Sequence, residues 1–200
     1  FQFGAFYQLP VYSLSGWFNA FYVTSDIDVG NVQDFFDISG SGDFLGFSFK
    51  RQLLPVGRYR HSLTFGLQDR AFETAIFNAA SGTFIPGIST KVRSRPLSVR
   101  YDGGYNWIAA GASLDFFVEW VNNLSFGGHN DDEAYARVRP AAESQWKAMR
   151  FSALVTKQLP RRFTGVVRVS GQYAGEALIP GEQFGVGGER TVRGFEERAV

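Results

Sequence analysis

Arg193 is the residue of this 200-residue chain best placed to make one strong, specific contact. It lies in Leu178 to Phe195, LIPGEQFGVGGERTVRGF, where five of eighteen places are glycine. Glycines let a segment fold tightly against a neighbouring wall. Phe184, Val186, Val192 and Phe195 are apolar, which a solvated loop does not require. A guanidinium taken out of water has to be paired, and its planar fork matches a carboxylate. The segment therefore reads as one that enters a cavity, where Arg193 meets an acid.

Other candidate chemistry is weaker. Gly185-Val186-Gly187-Gly188 could cradle a phosphate, but no strand and helix flank it as a dinucleotide fingerprint demands. Asp26, Asp28 and Asn31 lack the closing glutamate of a calcium loop. Asn130-Asp131-Asp132-Glu133 reads as a solvated loop. His61 and His129 have no spaced metal partner, and the scattered serines define no triad. With zero cysteines, disulfides and thiolate metal sites are excluded. The reading is of a non-enzyme without cofactor or metal. A net charge of +1, from 20 basic and 19 acidic residues, carries no nucleic-acid signature.

The elements that would position such a segment are strands. Glycine (23) and phenylalanine (21) are abundant, no run of about 20 apolar residues exists, and apolar residues alternate with polar ones. Period-two segments run over 1–9, 12–24, 43–54, 59–69, 93–101, 108–120, 146–159 and 163–174. Short separators at Pro10, Pro55-Val56-Gly57, Asp102-Gly103-Gly104 and Pro160-Arg161-Arg162 alternate with long ones at 25–42, 70–91, 122–145 and beyond 174. A helical turn is expected near Asp131 to Arg139. Most segments reach the 9 to 11 residues or so of a tilted membrane strand. Short and long connections alternating four times predict an all-β fold, a partial antiparallel transmembrane β-barrel of about eight strands. Tyr7, Tyr12, Tyr22, Tyr101 and Trp120 would form its aromatic girdles.

Gly181-Glu182-Gln183-Phe184, Gly187, Gly188 and the tetrad Val192, Arg193, Gly194, Phe195 resemble the sixth extracellular loop of two-partner secretion transporters, the TpsB or ShlB/FhaC/HecB family. Looser likeness continues in Ser25 to Gly30, Ser39 to Gly42 and His61 to Leu67. The resemblance implies a loop folded back into the lumen, with Arg193 paired to an aspartate on a strand beyond Val200. It also implies half of a 16-stranded barrel in the bacterial outer membrane, with residues 1–175 as wall and 176–200 as the lumenal loop. The chain reads as a fragment, and POTRA domains would precede the barrel.

On the same reading, Lys50, Arg100, Asp115, Glu119 and Arg168 face the lumen. They would keep the passage polar for an unfolded substrate, or simply form the wet face of an amphipathic sheet. The implied function is export of a large haemolysin- or adhesin-type TpsA partner by a monomer seated in outer-membrane lipid, without nucleic acid. A barrel-assembly insertase of the same superfamily and a passive porin are the alternatives.

Overall fold

The structure, a computed structural model, describes residues 2–25, 42–74 and 90–185. Its strands are β1 (Gln2–Val11), β2 (Gly16–Ser25), β3 (Gly42–Gln52), β4 (Tyr59–Thr74), β5 (Thr90–Ser94), β6 (Pro96–Trp107), β7 (Ala112–Asn123), β8 (Lys147–Gln158) and β9 (Thr164–Ala174). One helix, α1 (Asp132–Val138), interrupts them. All pair antiparallel in one sheet, in the order β1-β2-β3-β4-β6-β7-β8-β9, with β5 on the end of β4. β5 and β6 share one register on β4 and part only at Arg95. There the Arg95 side chain takes over, bonding Asp69 at 3.2 Å and covering Phe126.

Because alternate side chains of a strand point to opposite faces, one surface of this wall is apolar and the other polar. Leu45, Phe47, Phe65, Leu67, Leu97, Val118, Trp120, Met149, Val155, Val167 and Val169 share the first, and all are exposed. Globular proteins seldom leave so large a contiguous apolar face in water, whereas a bilayer covers it. Gln8, Asn19 and Ser48 run across the opposite face in a hydrogen-bonded row. Within the described sheet, β1 and β9 each pair on one side only, and the sheet is not closed.

The alternation of connections is as the sequence indicates, but three boundaries differ. Pro10 is paired with Trp17 inside β1, and the turn falls at Tyr12–Leu14 and Ser15. β4 runs five residues past Asp69, taking Arg70 to Thr74 out of the expected loop and into the wall. Asp102-Gly103-Gly104 is no turn: β6 passes straight through it to a turn at Ile108–Ala110 and Gly111. Only Gly111 among these glycines has a positive φ, 58°. Tyr7 lies mid-strand opposite Ala20, so it does not mark a strand end.

Gly103 is glycine for a different reason. A Cβ there would stand 2.5 Å from both the Phe116 ring and the Tyr59 hydroxyl. The vacancy lets Phe116 lie across the strand, below the hydrogen-bonded group Tyr59, Tyr101 and His61. Gly103→Val should therefore displace these rings and lower stability by roughly 1–3 kcal/mol, an overpacking penalty. An unchanged thermal midpoint of heat-modifiable gel migration would count against this account.

Candidate functional site

At the long-connection end, the polar face of the wall carries a small core. Val92, Val121, Ala134, Tyr135, Ala142, Trp146, Ala148, Leu178 and Ile179 are buried together. It joins three strands, the 124–146 connection and the start of the last segment. α1 begins where Asp131 caps it, accepting from the Ala134 N–H at 2.8 Å. The polar hub is Asn123, whose amide NH2 reaches Asn130, the Tyr135 hydroxyl and the Ser144 carbonyl at 2.6–3.1 Å. Its amide oxygen accepts from the Arg95 N–H at 2.6 Å. Burial pushes the Tyr135 hydroxyl up, so it stays protonated and can donate to the Arg93 carbonyl. The Asn130 to Glu133 run differs from the solvated loop expected at its first residue: Asn130 is 2% exposed, while Asp131, Asp132 and Glu133 are exposed and open α1.

Asp132 accepts from both the backbone N–H and the hydroxyl of Ser144, each at 2.8 Å. These bonds hold its carboxyl below the usual carboxylate range. A depressed folded-state pKa contributes stability that is full above the unfolded value, near 3.9, and disappears as pH falls through the folded one. The 124–146 connection is expected to stay protected at neutral pH and to loosen only below about pH 4. Hydrogen exchange on Ser144 would read this, and an acid-independent protection would refute it.

The last segment turns inward at Pro180–Glu182 and places Glu182 inside the wall, 1% exposed. Its carboxylate takes the Arg70 guanidinium at 2.6 Å, Arg150 at 3.1 Å and the Ser94 hydroxyl at 2.5 Å. Its carbonyl accepts from Gln172 at 3.0 Å and from Arg150 at 3.3 Å. Gly181 rests on Phe72: a Cβ there would come within 2.3 Å of that ring. Four strands thus grip one residue of the loop. Two cations and a hydroxyl on one carboxylate satisfy the rule that buried charges be paired.

Between the wall and residues 181–185 lies a cavity of about 500 Å³. Arg100, Asp115, Glu119 and Arg168 line it; Lys50 is on the same face of β3 but apart from it. Arg100 bonds Asp102 at 2.8 Å and stacks on Phe117 with 3.8 Å to the ring centre. Gly187, Gly188, Val192, Arg193, Gly194 and Phe195 lie outside the described residues, as do Asp26, Asp28 and Asn31. Sequence reading missed Glu182, Arg70, Arg150 and Ser94 as a site. The parity of β4 contained a signal, since extending Ser62, Thr64, Gly66 and Gln68 by one step puts Arg70 on the wet face.

An open antiparallel wall, apolar on one face and polar on the other, with a connection folded onto its polar face, is part of a transmembrane β-barrel. A model of the haemolysin secretion/activation proteins ShlB/FhaC/HecB matches residues 2–200, and the chain belongs to that family. Its members are outer-membrane barrels, which places this wall in the outer membrane. In fold the chain is similar to CdiB from Escherichia coli, with a TM-score of 0.69 at 20% identity. That likeness covers 98% of this chain and 34% of CdiB, so the chain spans about a third of that protein's length. No curated protein sequence matches it.

Proposed function

We propose that the whole protein is the outer-membrane translocator of a two-partner secretion pair, exporting one large haemolysin- or adhesin-type protein in extended form. Segment 176–200 is its lumenal loop, docked by Glu182 at its base and by Arg193, paired with an acid, further along. Glu182 carries this reading, since a connection serving only as a surface link has no use for a carboxylate gripped by four strands. The charges about the cavity suit passage of a chain of mixed composition. Arg70, Arg100, Arg150 and Arg168 stand against Asp102, Asp115, Glu119 and Glu182. Neither sign dominates, so neither sign of substrate is trapped.

No nucleotide is needed, because folding of the substrate outside makes backward sliding unfavourable. Deletion of the intact gene should remove one large protein from the culture medium, and Arg193→Ala should lower its export. A secretome unchanged by the deletion would overturn the reading. Ion conductance untouched by Arg193→Ala, with no export defect, would favour a passive pore.

A further inference from the structure

The two ends of the wall treat their cations differently. At the long-connection end most of them are held: Lys91 pairs with Glu73, Arg93 and Arg95 with Asp69 and Arg137 with Glu133, Arg139 donates to the Leu178 carbonyl, and Lys147 is exposed without an ion pair among the described residues. At the short-turn end Arg51, Arg58, Lys157, Arg161 and Arg162 are exposed, and among the described residues none has an ion-pair or hydrogen-bond partner. The acids nearest that end, Asp102 and Asp115, face the polar side, where Arg58 lines a recess with them and the other four cations do not.

Arg161 and Arg162 also hold φ of 61° and 64°, the left-handed region. That conformation costs about 1–2 kcal/mol per residue for any side chain with a Cβ, and glycine or asparagine would adopt it more easily. Two arginines therefore occupy the tip of this turn against local preference, which points to a use for their charge.

Their position identifies the partner. Arg51 is on the apolar face of β3 with Leu45 and Phe47, and Lys157 is on that of β8 with Val155. Their stems run along the lipid-facing surface, and their charged ends reach past it. Tyr105 packs against Trp107 on the same face at this end, tilted by 53° with 4.7 Å between centres, marking the headgroup level. Beside the cations, Leu54 (88% exposed), Val56 and Phe163 are apolar tips suited to the acyl boundary.

We infer that the short-turn end of the wall is an anionic-phospholipid site, in which the four cations on its outer rim, Arg51, Lys157, Arg161 and Arg162, bind headgroup phosphates and give the barrel a preference for acidic over zwitterionic lipid. Each such cation adds roughly a fivefold preference near an anionic surface. Replacing all four by glutamine should lower the retention of phosphatidylglycerol over phosphatidylcholine by about tenfold or more.

The full-length protein would be reconstituted in vesicles of phosphatidylcholine with and without phosphatidylglycerol, and the retained lipid weighed by native mass spectrometry. An unchanged preference in the four-residue variant overturns the inference. So does an unchanged lipid preference accompanied by lost binding of polyglutamate, which would reassign the surface to an acidic protein. Arg161→Asn combined with Arg162→Gly separates charge from folding. It should raise the unfolding temperature in phosphatidylcholine by relaxing the turn, while lowering phosphatidylglycerol retention. Full retention by this folded variant likewise overturns the assignment.

Discussion

Glu182→Ala is expected to release the base of the lumenal loop and raise the open-pore conductance of the reconstituted full-length barrel. The carboxylate is fully enclosed, and Arg70, with only a tenth of its side chain exposed, would keep its charge without this partner. Removing one member of a buried pair typically costs about 3–5 kcal/mol, mostly because the other charge is stranded. At about 1.4 kcal/mol per factor of ten, the docked-to-released ratio should fall by roughly a hundredfold to a few thousandfold. Arg150→Met should do less, since that side chain is a fifth exposed and lies at 3.1 Å. Adding Arg70→Met to Glu182→Ala should recover part of the loss by removing a buried cation that has lost its 2.6 Å carboxylate. Conductance and protease resistance of residues 176–185 that match the parent protein would dismiss Glu182 as the anchor.

Trp146→Ala is expected to free the 124–146 connection from the wall. The indole is fully buried, packs in the shared core and donates to the Tyr135 hydroxyl at 3.3 Å. Deleting a buried tryptophan side chain costs about 3–5 kcal/mol, part of it the cavity left behind. Trypsin should then cut at Arg137 or Arg139 while the strands stay resistant, because the wall is held by its own ladders. Trp120→Ala is the control, since that ring is 45% exposed on the apolar face and leaves no enclosed cavity. Equal protease patterns for the two variants would mean that Trp146 does not hold the connection down.

The two changes should not add. Leu178 and Ile179 share the core with Trp146, and Glu182 follows within one turn, so both variants loosen one docked unit. A double variant no worse than the stronger single one is the expected result. Strict additivity would show two independent latches.

The sequence was readable where one residue sees only its own strand and the solvent on each side of it. Leu114, Phe116, Val118 and Trp120 alternate with Ser113, Asp115 and Glu119, and the pleat alone then fixes which side is greasy. The lengths of the connections, the one helix after Asp131 and the cavity side of Arg100, Asp115, Glu119 and Arg168 follow from local pattern in the same way. The glycines misled because two demands select them. Asp102-Gly103-Gly104 has the composition of a turn, yet the cause is the Phe116 ring from the next strand, a neighbour thirteen residues away.

By itself, then, the order of residues determined a strand-built membrane wall with alternating short and long links, and a final segment unsuited to open water. Only the tertiary structure decided which acid anchors that segment. Glu182 is 112 residues from Arg70 and 32 from Arg150 along the chain, and its motif reads equally well as a solvated turn. No periodicity links them. Antiparallel register brings β4, β5, β8 and β9 around one point, and burial there turns an ordinary glutamate into one that must be paired.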